Sequence, residues 1–218
     1  MSARIIRASI HADTYENLGV MRRTAEEAAE TRRSLLVAAL AEFAERGFAT
    51  ATLNGIATRA GLTRGALYHH FTDKATLCLA AINELWAESA TPVWSRLDGP
   101  EPPVERVGGF LVAFFTALEE DTTFRQVYAL SMRSAEGVPE LEKGLHDKQV
   151  VMEGWRRQLS GLLSTAELRP GVSPDTAALA IITSANGTAA TWLACPGLFS
   201  PAREARALTD AIVRGISN

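Results

Sequence analysis

The sequence predicts an all-α protein of about nine helices, and three observations lead there. Apolar residues recur at spacings of three and four almost throughout, and no segment alternates with period two for more than a few residues. Helix starts and stops are punctuated, with Ser-Pro at 173–174 and 200–201 opening helices and Gly47 and Gly61 closing them. The composition, 47% hydrophobic and 22% charged over 218 residues, is that of a chain able to bury a real core. That length suits a small head and a larger body.

The elements follow in order. Residues 1 to 20 have no clear period and are expected to form a flexible extension, bounded at residue 23. Met21 opens a more typical start, so translation beginning there is a further expectation. A first helix runs from about Thr24 to Arg46, with Leu36, Leu40, Phe43 and Ala44 as its inner stripe. Thr52 caps a short second helix through Ala60, and Thr63 caps a third from Arg64 to about His70. Asp73 caps a fourth, from Lys74 to about Arg96. The stretch LDGPEPP at 97–103 is the strongest linker signal. Helices are then expected near 104–119, 123–135 and 139–165, broken at EEDTT and EGVP. Two more follow, near 174–193 and 203–216. The domains implied are an extension (1–23), a helix-turn-helix head (24–74) and a helical body (75–218).

Net charge is −3, which taken alone argues against a polyanionic partner. Its distribution is more favourable. Residues 21–75 carry eight basic and six acidic side chains, whereas 76–218 carry twelve and seventeen. The two cysteines, Cys78 and Cys195, form no motif and suit a reducing cytoplasm, each expected as a buried small hydrophobe. Thr176 to Cys195 is uncharged and as long as a membrane span. Its Thr, Ser, Asn, Gly and Ala content reads instead as a helix packed closely on another, with no membrane partner.

The segment Thr52 to Lys74 carries the function. Ile56, Ala57, Ala60, Leu62, Leu67 and Phe71 form an inward set, and Gly61 takes the turn between two short helices. Thr63, Arg64, Gly65, Tyr68 and His69 remain on the outer face of the third helix. These are the residue types base edges and phosphates require: a forked donor for guanine, a methyl for thymine, hydroxyls for the backbone and a glycine for close approach. Thr52, at a helix N-terminus, and Lys74 flank the unit as phosphate contacts. An ordinary helical hairpin with a solvated polar face fits the same pattern.

Resemblance separates the two readings. TAEEAAETRRSLLVAALAEFAERGFATATLNGIATRAGLTRGALYHHFTDKATL resembles the N-terminal domain of TetR-family regulators. ETRRSLLVAALAEFAERGF, IATRAGLTRGALYHHF and the following DK are similar to the AcrR-like multidrug-efflux repressors. In such proteins the third helix reads bases, and the positions of Thr52, Tyr68 and Lys74 hold phosphates. The resembling proteins often carry Trp where this chain has His69. The resemblance implies a transcriptional repressor that binds a palindromic double-stranded DNA operator as a homodimer and is released by a small inducer. It implies no cofactor, metal or catalytic residue.

In the body, Trp86, Phe110, Phe114, Phe124, Tyr128, Met132, Met152 and Trp155 suit a core or a large apolar pocket, with Asn186, Gln126 and His146 as polar members. The resemblance favours the pocket and a lipophilic inducer. It also implies a dimer through the last two helices, with Leu179, Ile182, Ala185, Ala189, Leu193, Leu208 and Ile212 at the interface. Ligand in the body is expected to act on the heads through the fourth helix. The alternatives are an enzyme, a helical scaffold and a thiol sensor. No HExxH, GxSxG, P-loop or GxGxxG supports the first. Adjacent His69 and His70 diverge by about 100° on a helix and cannot share a metal. Glu119-Glu120 is expected to end a helix in solvent.

Overall fold

The computed structural model describes the backbone of residues 3–133 and 142–217, and the side chains of residues 25–132 and 149–217. Among the described residues there are nine α-helices and no strand. They are α1 (Ala3–Thr50), α2 (Leu53–Arg59), α3 (Arg64–His70), α4 (Lys74–Trp94), α5 (Pro103–Glu120), α6 (Thr122–Arg133), α7 (Glu142–Leu163), α8 (Pro174–Ala194) and α9 (Pro201–Ile216). The expected break at EGVP and the side chain of the candidate His146 lie outside the described residues.

The capping signals work as their chemistry demands. An N-cap oxygen takes one of the N–H groups that the first helical turn leaves without a partner. Thr52 accepts from the Gly55 amide at 3.0 Å, and Thr63 accepts from Ala66 at 3.1 Å. Asp73 accepts from Thr76 at 2.7 Å, which holds its carboxyl below the ordinary range. Ser173 and Ser200 cap α8 and α9 in the same way. Gly47 and Gly61 adopt φ of 74° and 69°, where a Cβ would be strained. The backbone of α1 is helical back to Ala3, 21 residues before the start that the period in its apolar residues indicates at Thr24, so the segment expected as a flexible extension continues the helix.

The interior divides into two clusters. One fills the body, from Val93, Val107, Leu111 and Phe115 to Leu159, Ile181 and Trp192. The other fills the head, and it crosses the expected boundary at residue 74. Leu77, Cys78, Ala81 and Leu85 of α4 belong to it, and so do Val127 and Leu130 of α6. The seven-residue helices α2 and α3 cannot enclose enough apolar area with α1 alone, so the head completes its core with α4 and α6. Trp86 packs against both clusters.

Four side chains depart from expectation. Cys195 is exposed, while Cys78 is buried and its thiol is pushed up to about 12 by burial. Glu119 caps α9: the Ser200 hydroxyl donates to it at 2.6 Å and the Ala202 amide at 2.9 Å. Those bonds, Ser200 first, hold its carboxyl below the ordinary value. Ala185 and Ala189 are 5% and 0% exposed within the single chain, because that face of α8 packs on the body core. They have no surface left to present to a second copy.

Candidate nucleic-acid interface and aromatic centre

Placement of α3 begins with Leu67, fully buried, and Phe71 behind it. With those two turned inward, Thr63, Arg64, Gly65, Tyr68 and His69 all fall on the exposed side. Tyr68 is 44% exposed although aromatic. Arg64 Nη2 donates to the Tyr68 hydroxyl at 3.0 Å, and its guanidinium carbon lies 5.3 Å from the ring centroid. Five of the seven expected interface residues therefore form one continuous surface. Thr52 is exposed too, at the start of α2.

Lys74 differs. Its ammonium donates to the carbonyls of Phe48 (2.7 Å), Ala49 (3.2 Å) and Ala51 (3.1 Å), and it sits 4.5 Å from the Phe48 ring centroid. A cation at the end of a helix satisfies carbonyls that have no intrahelical donor and meets the negative end of the dipole. Lys74 thus closes α1 rather than extending from the face shared by the other residues.

Sequence reasoning missed the groups that set the pose of α2 and α4. Glu42 is 3% exposed and pairs with Arg46 at 3.1 Å and Arg59 at 3.2 Å. A Cβ at Gly55 would stand 2.8 Å from a Glu42 carboxylate oxygen, so glycine lets α2 approach it. Arg59 also grips Glu45, tying α2 to α1 through two carboxylates. Arg32 pairs with Glu84 and lies over the Phe71 ring, and Arg33 pairs with Glu88 at 2.6 Å, so α1 holds α4 along its length. The one available signal was an acidic residue within an otherwise apolar stripe, as at Glu42.

In the body, the structure gathers the expected aromatic residues. Trp86 lies 5.3 Å from Phe124 and 5.8 Å from Trp155, centroid to centroid. Phe114 meets Phe124 and Tyr128 edge-on at 5.6 and 5.7 Å. Phe110 continues the group through Trp94, at 4.8 Å, and Trp94 reaches Trp155, also at 4.8 Å. The Tyr128 hydroxyl donates to Asn186 Oδ1 at 2.8 Å, and Asn186 Nδ2 approaches Met152 Sδ at 3.9 Å. Burial raises the Tyr128 hydroxyl well above its ordinary pKa, so it stays a neutral donor. Met132 packs against the same core, and Gln126 is half-buried on α6. Met152 also lines a groove of about 620 Å³ between α7 and α8, with Leu179 and Ile182.

Of the other residues assigned to a dimer face, Leu179 is 53% exposed. Ile182, Leu193, Leu208 and Ile212 are half-buried against the body core. Among the described residues no His, Cys, Asp or Glu side chains group as a metal site, and no helix is long and apolar enough to cross a membrane.

A short capped helix that turns an arginine, hydroxyls and a glycine outward, on a larger helical body, defines a helix-turn-helix DNA-binding transcriptional regulator. The chain belongs to the TetR family. Residues 35–81 match the family described as bacterial regulatory proteins, tetR family. It is 32% identical over 184 residues to the HTH-type transcriptional repressor BepR of Brucella suis, covering 79% of this chain and 85% of that one. Its fold is similar to NalD, the secondary repressor of the MexAB-OprM multidrug efflux pump in Pseudomonas aeruginosa. There the TM-score is 0.74 at 26% identity, over 87% of this chain and 98% of the other. It is equally similar to SmeT, the repressor of the multidrug efflux pump SmeDEF in Stenotrophomonas maltophilia, solved with triclosan. That match also has a TM-score of 0.74 at 26% identity, covering 87% and 92%.

Proposed function

We propose that the chain is a ligand-released repressor that binds a palindromic operator as a homodimer. The exposed face of α3 is the observation that carries this reading. In it the head (24–74) supplies base contacts from Thr63, Arg64 and Gly65, and backbone contacts from Thr52, Tyr68 and His69. The body (75–218) supplies the inducer site and the dimer contact.

The inducer is a small lipophilic molecule that enters among Trp86, Trp94, Phe110, Phe114 and Trp155. Rings of this kind offer dispersion and stacking, and the Tyr128–Asn186 pair offers one oriented polar contact. A solved complex of SmeT with triclosan supports a ligand of that character. The dimer face is the exposed stripe Leu179, Thr183, Gly187 and Ala190 of α8 with Ala207 and Ala211 of α9, which recur one turn apart.

Helix α6 supports a route from ligand to head. Phe124 and Tyr128 face the aromatic centre, whereas Val127 and Leu130 are part of the head's core. A ligand that displaces the first pair moves the second, and with it α1 and α4. Release requires tighter binding to the form that cannot hold DNA. The test is a mobility shift on the DNA upstream of the gene, repeated with lipophilic compounds while tryptophan fluorescence is followed. Compounds that quench the fluorescence should also free the DNA. Quenching without release, across a broad panel, would remove the inducer reading.

A further inference from the structure

We infer that Tyr68 is a positioning residue for Arg64: its hydroxyl holds the arginine for base reading while offering its own proton to a phosphate, which couples sequence reading to backbone contact. The inference rests on the reading that the exposed face of α3 meets DNA.

Arg64 differs from the other arginines of the head in its partner. Of the five head arginines whose side chains are described, Arg32, Arg33, Arg46 and Arg59 pair with carboxylates. Arg64 pairs with a phenol, through the 3.0 Å hydrogen bond to Tyr68. A carboxylate partner would cancel its charge and occupy the guanidinium fork. A phenol does neither, so Arg64 is held in place with its full charge and most of its donors free.

The hydroxyl has one proton and two lone pairs. Accepting from Arg64 uses a lone pair and leaves the proton to be donated outward. The two residues are four apart on one helix, so the ring stands beside the guanidinium on the exposed face. A phosphate oxygen that accepts a hydrogen bond from the Tyr68 hydroxyl polarises the phenol and makes it a better acceptor for Arg64. A helix seated in the wrong register forfeits both contacts together. Held on one side, the long arginine side chain also loses less freedom when it engages a base.

The test uses the full chain. The wild type first selects its preferred duplex from a randomised library. Affinities for that duplex and its single-base-pair variants are then measured for wild type, Tyr68→Phe, Arg64→Ala and the double variant. Tyr68→Phe should flatten the preference at the same base pair as Arg64→Ala, by about five-fold or more, and leave the preference elsewhere intact. The double variant should be no flatter there than Arg64→Ala alone. Tyr68 is exposed, so coincident thermal melting of Tyr68→Phe and wild type is expected. Arg64→Lys, which keeps the charge without the fork, should lose the same preference. An unchanged preference at that base pair, with or without a common loss of affinity across all duplexes, would make Tyr68 at most a plain phosphate contact and overturn the inference. If the wild type selects no sequence, the DNA-reading face itself is refuted, and the inference with it.

Discussion

Leu130 lies on α6, far along the chain from the helix-turn-helix, yet it is 6% exposed and packed in the head's core beside Val127. Replacing it with alanine removes three buried carbon atoms and leaves a space that α1 and α4 can close only in part. Buried leucine-to-alanine changes cost about 2–5 kcal/mol, and a slightly exposed site falls near the middle, at about 3 kcal/mol. Against a domain stability of roughly 5–15 kcal/mol that is a large share. In native-state hydrogen exchange it corresponds to a loss of protection of about 150-fold. The amides to follow are those that close α2 and α3, at Ile56, Ala60, Leu67 and Phe71, because each is bonded within its own short helix. Leu130→Ala should lower their protection at least as much as that of the α8 amides. If α8 and α9 lose protection while α2 and α3 keep theirs, the head closes its core without α6. The proposed path from the aromatic centre would then have no support.

Two further outcomes follow from individual side chains. Lys74→Met removes three hydrogen bonds, two to the last residues of α1 and one to Ala51 just past it, and should cost about 1–3 kcal/mol of stability, part of it recovered by water, with the salt dependence of DNA binding unchanged. A salt slope smaller by about one charge, with unaltered melting, would show Lys74 to be a phosphate contact instead. Asp73 and Glu119 are held below their ordinary values, Asp73 by the Thr76 amide and Glu119 by Ser200. Their contribution is therefore complete above the unfolded pKa and is lost as pH falls through the depressed folded value. An Asp73→Asn, Glu119→Gln double variant should show a shallower loss of melting temperature below about pH 4 than the wild type; an identical acid limb would contradict the assignment.

What was legible in the sequence was local. Thr52, Thr63, Asp73, Ser173 and Ser200 cap helices because each needs only an amide three residues on. Gly47 and Gly61 mark positive φ because only a residue without a Cβ adopts it unstrained, which is again local. The outward set on α3 follows from helical spacing once Leu67 and Phe71 are taken as buried. What escaped depends on partners distant in the chain. Periodicity separates the faces of a helix but does not say which neighbour each face meets. Hence α6 was placed wholly in the body, although Val127 and Leu130 complete the head. Ala185 and Ala189 were read as a contact face because they are small, whereas smallness served close packing inside the chain. Glu119 was read as solvated, because nothing in its own helix indicates that the start of α9 comes to meet it. Lys74 looked free for DNA because its three acceptors lie more than twenty residues earlier.

The proposed repressor function requires that the exposed face of α3 read double-stranded DNA. The most direct measurement is equilibrium binding of the full chain to the duplex upstream of its own gene, across a range of salt, for wild type and Thr63→Ala, Arg64→Ala side by side. The wild type should bind with log affinity falling linearly in log salt concentration. The variant should fall toward the affinity both proteins show for an unrelated duplex. Equal affinity of the two proteins for the upstream duplex, or no binding by the wild type at low salt, would contradict the claim.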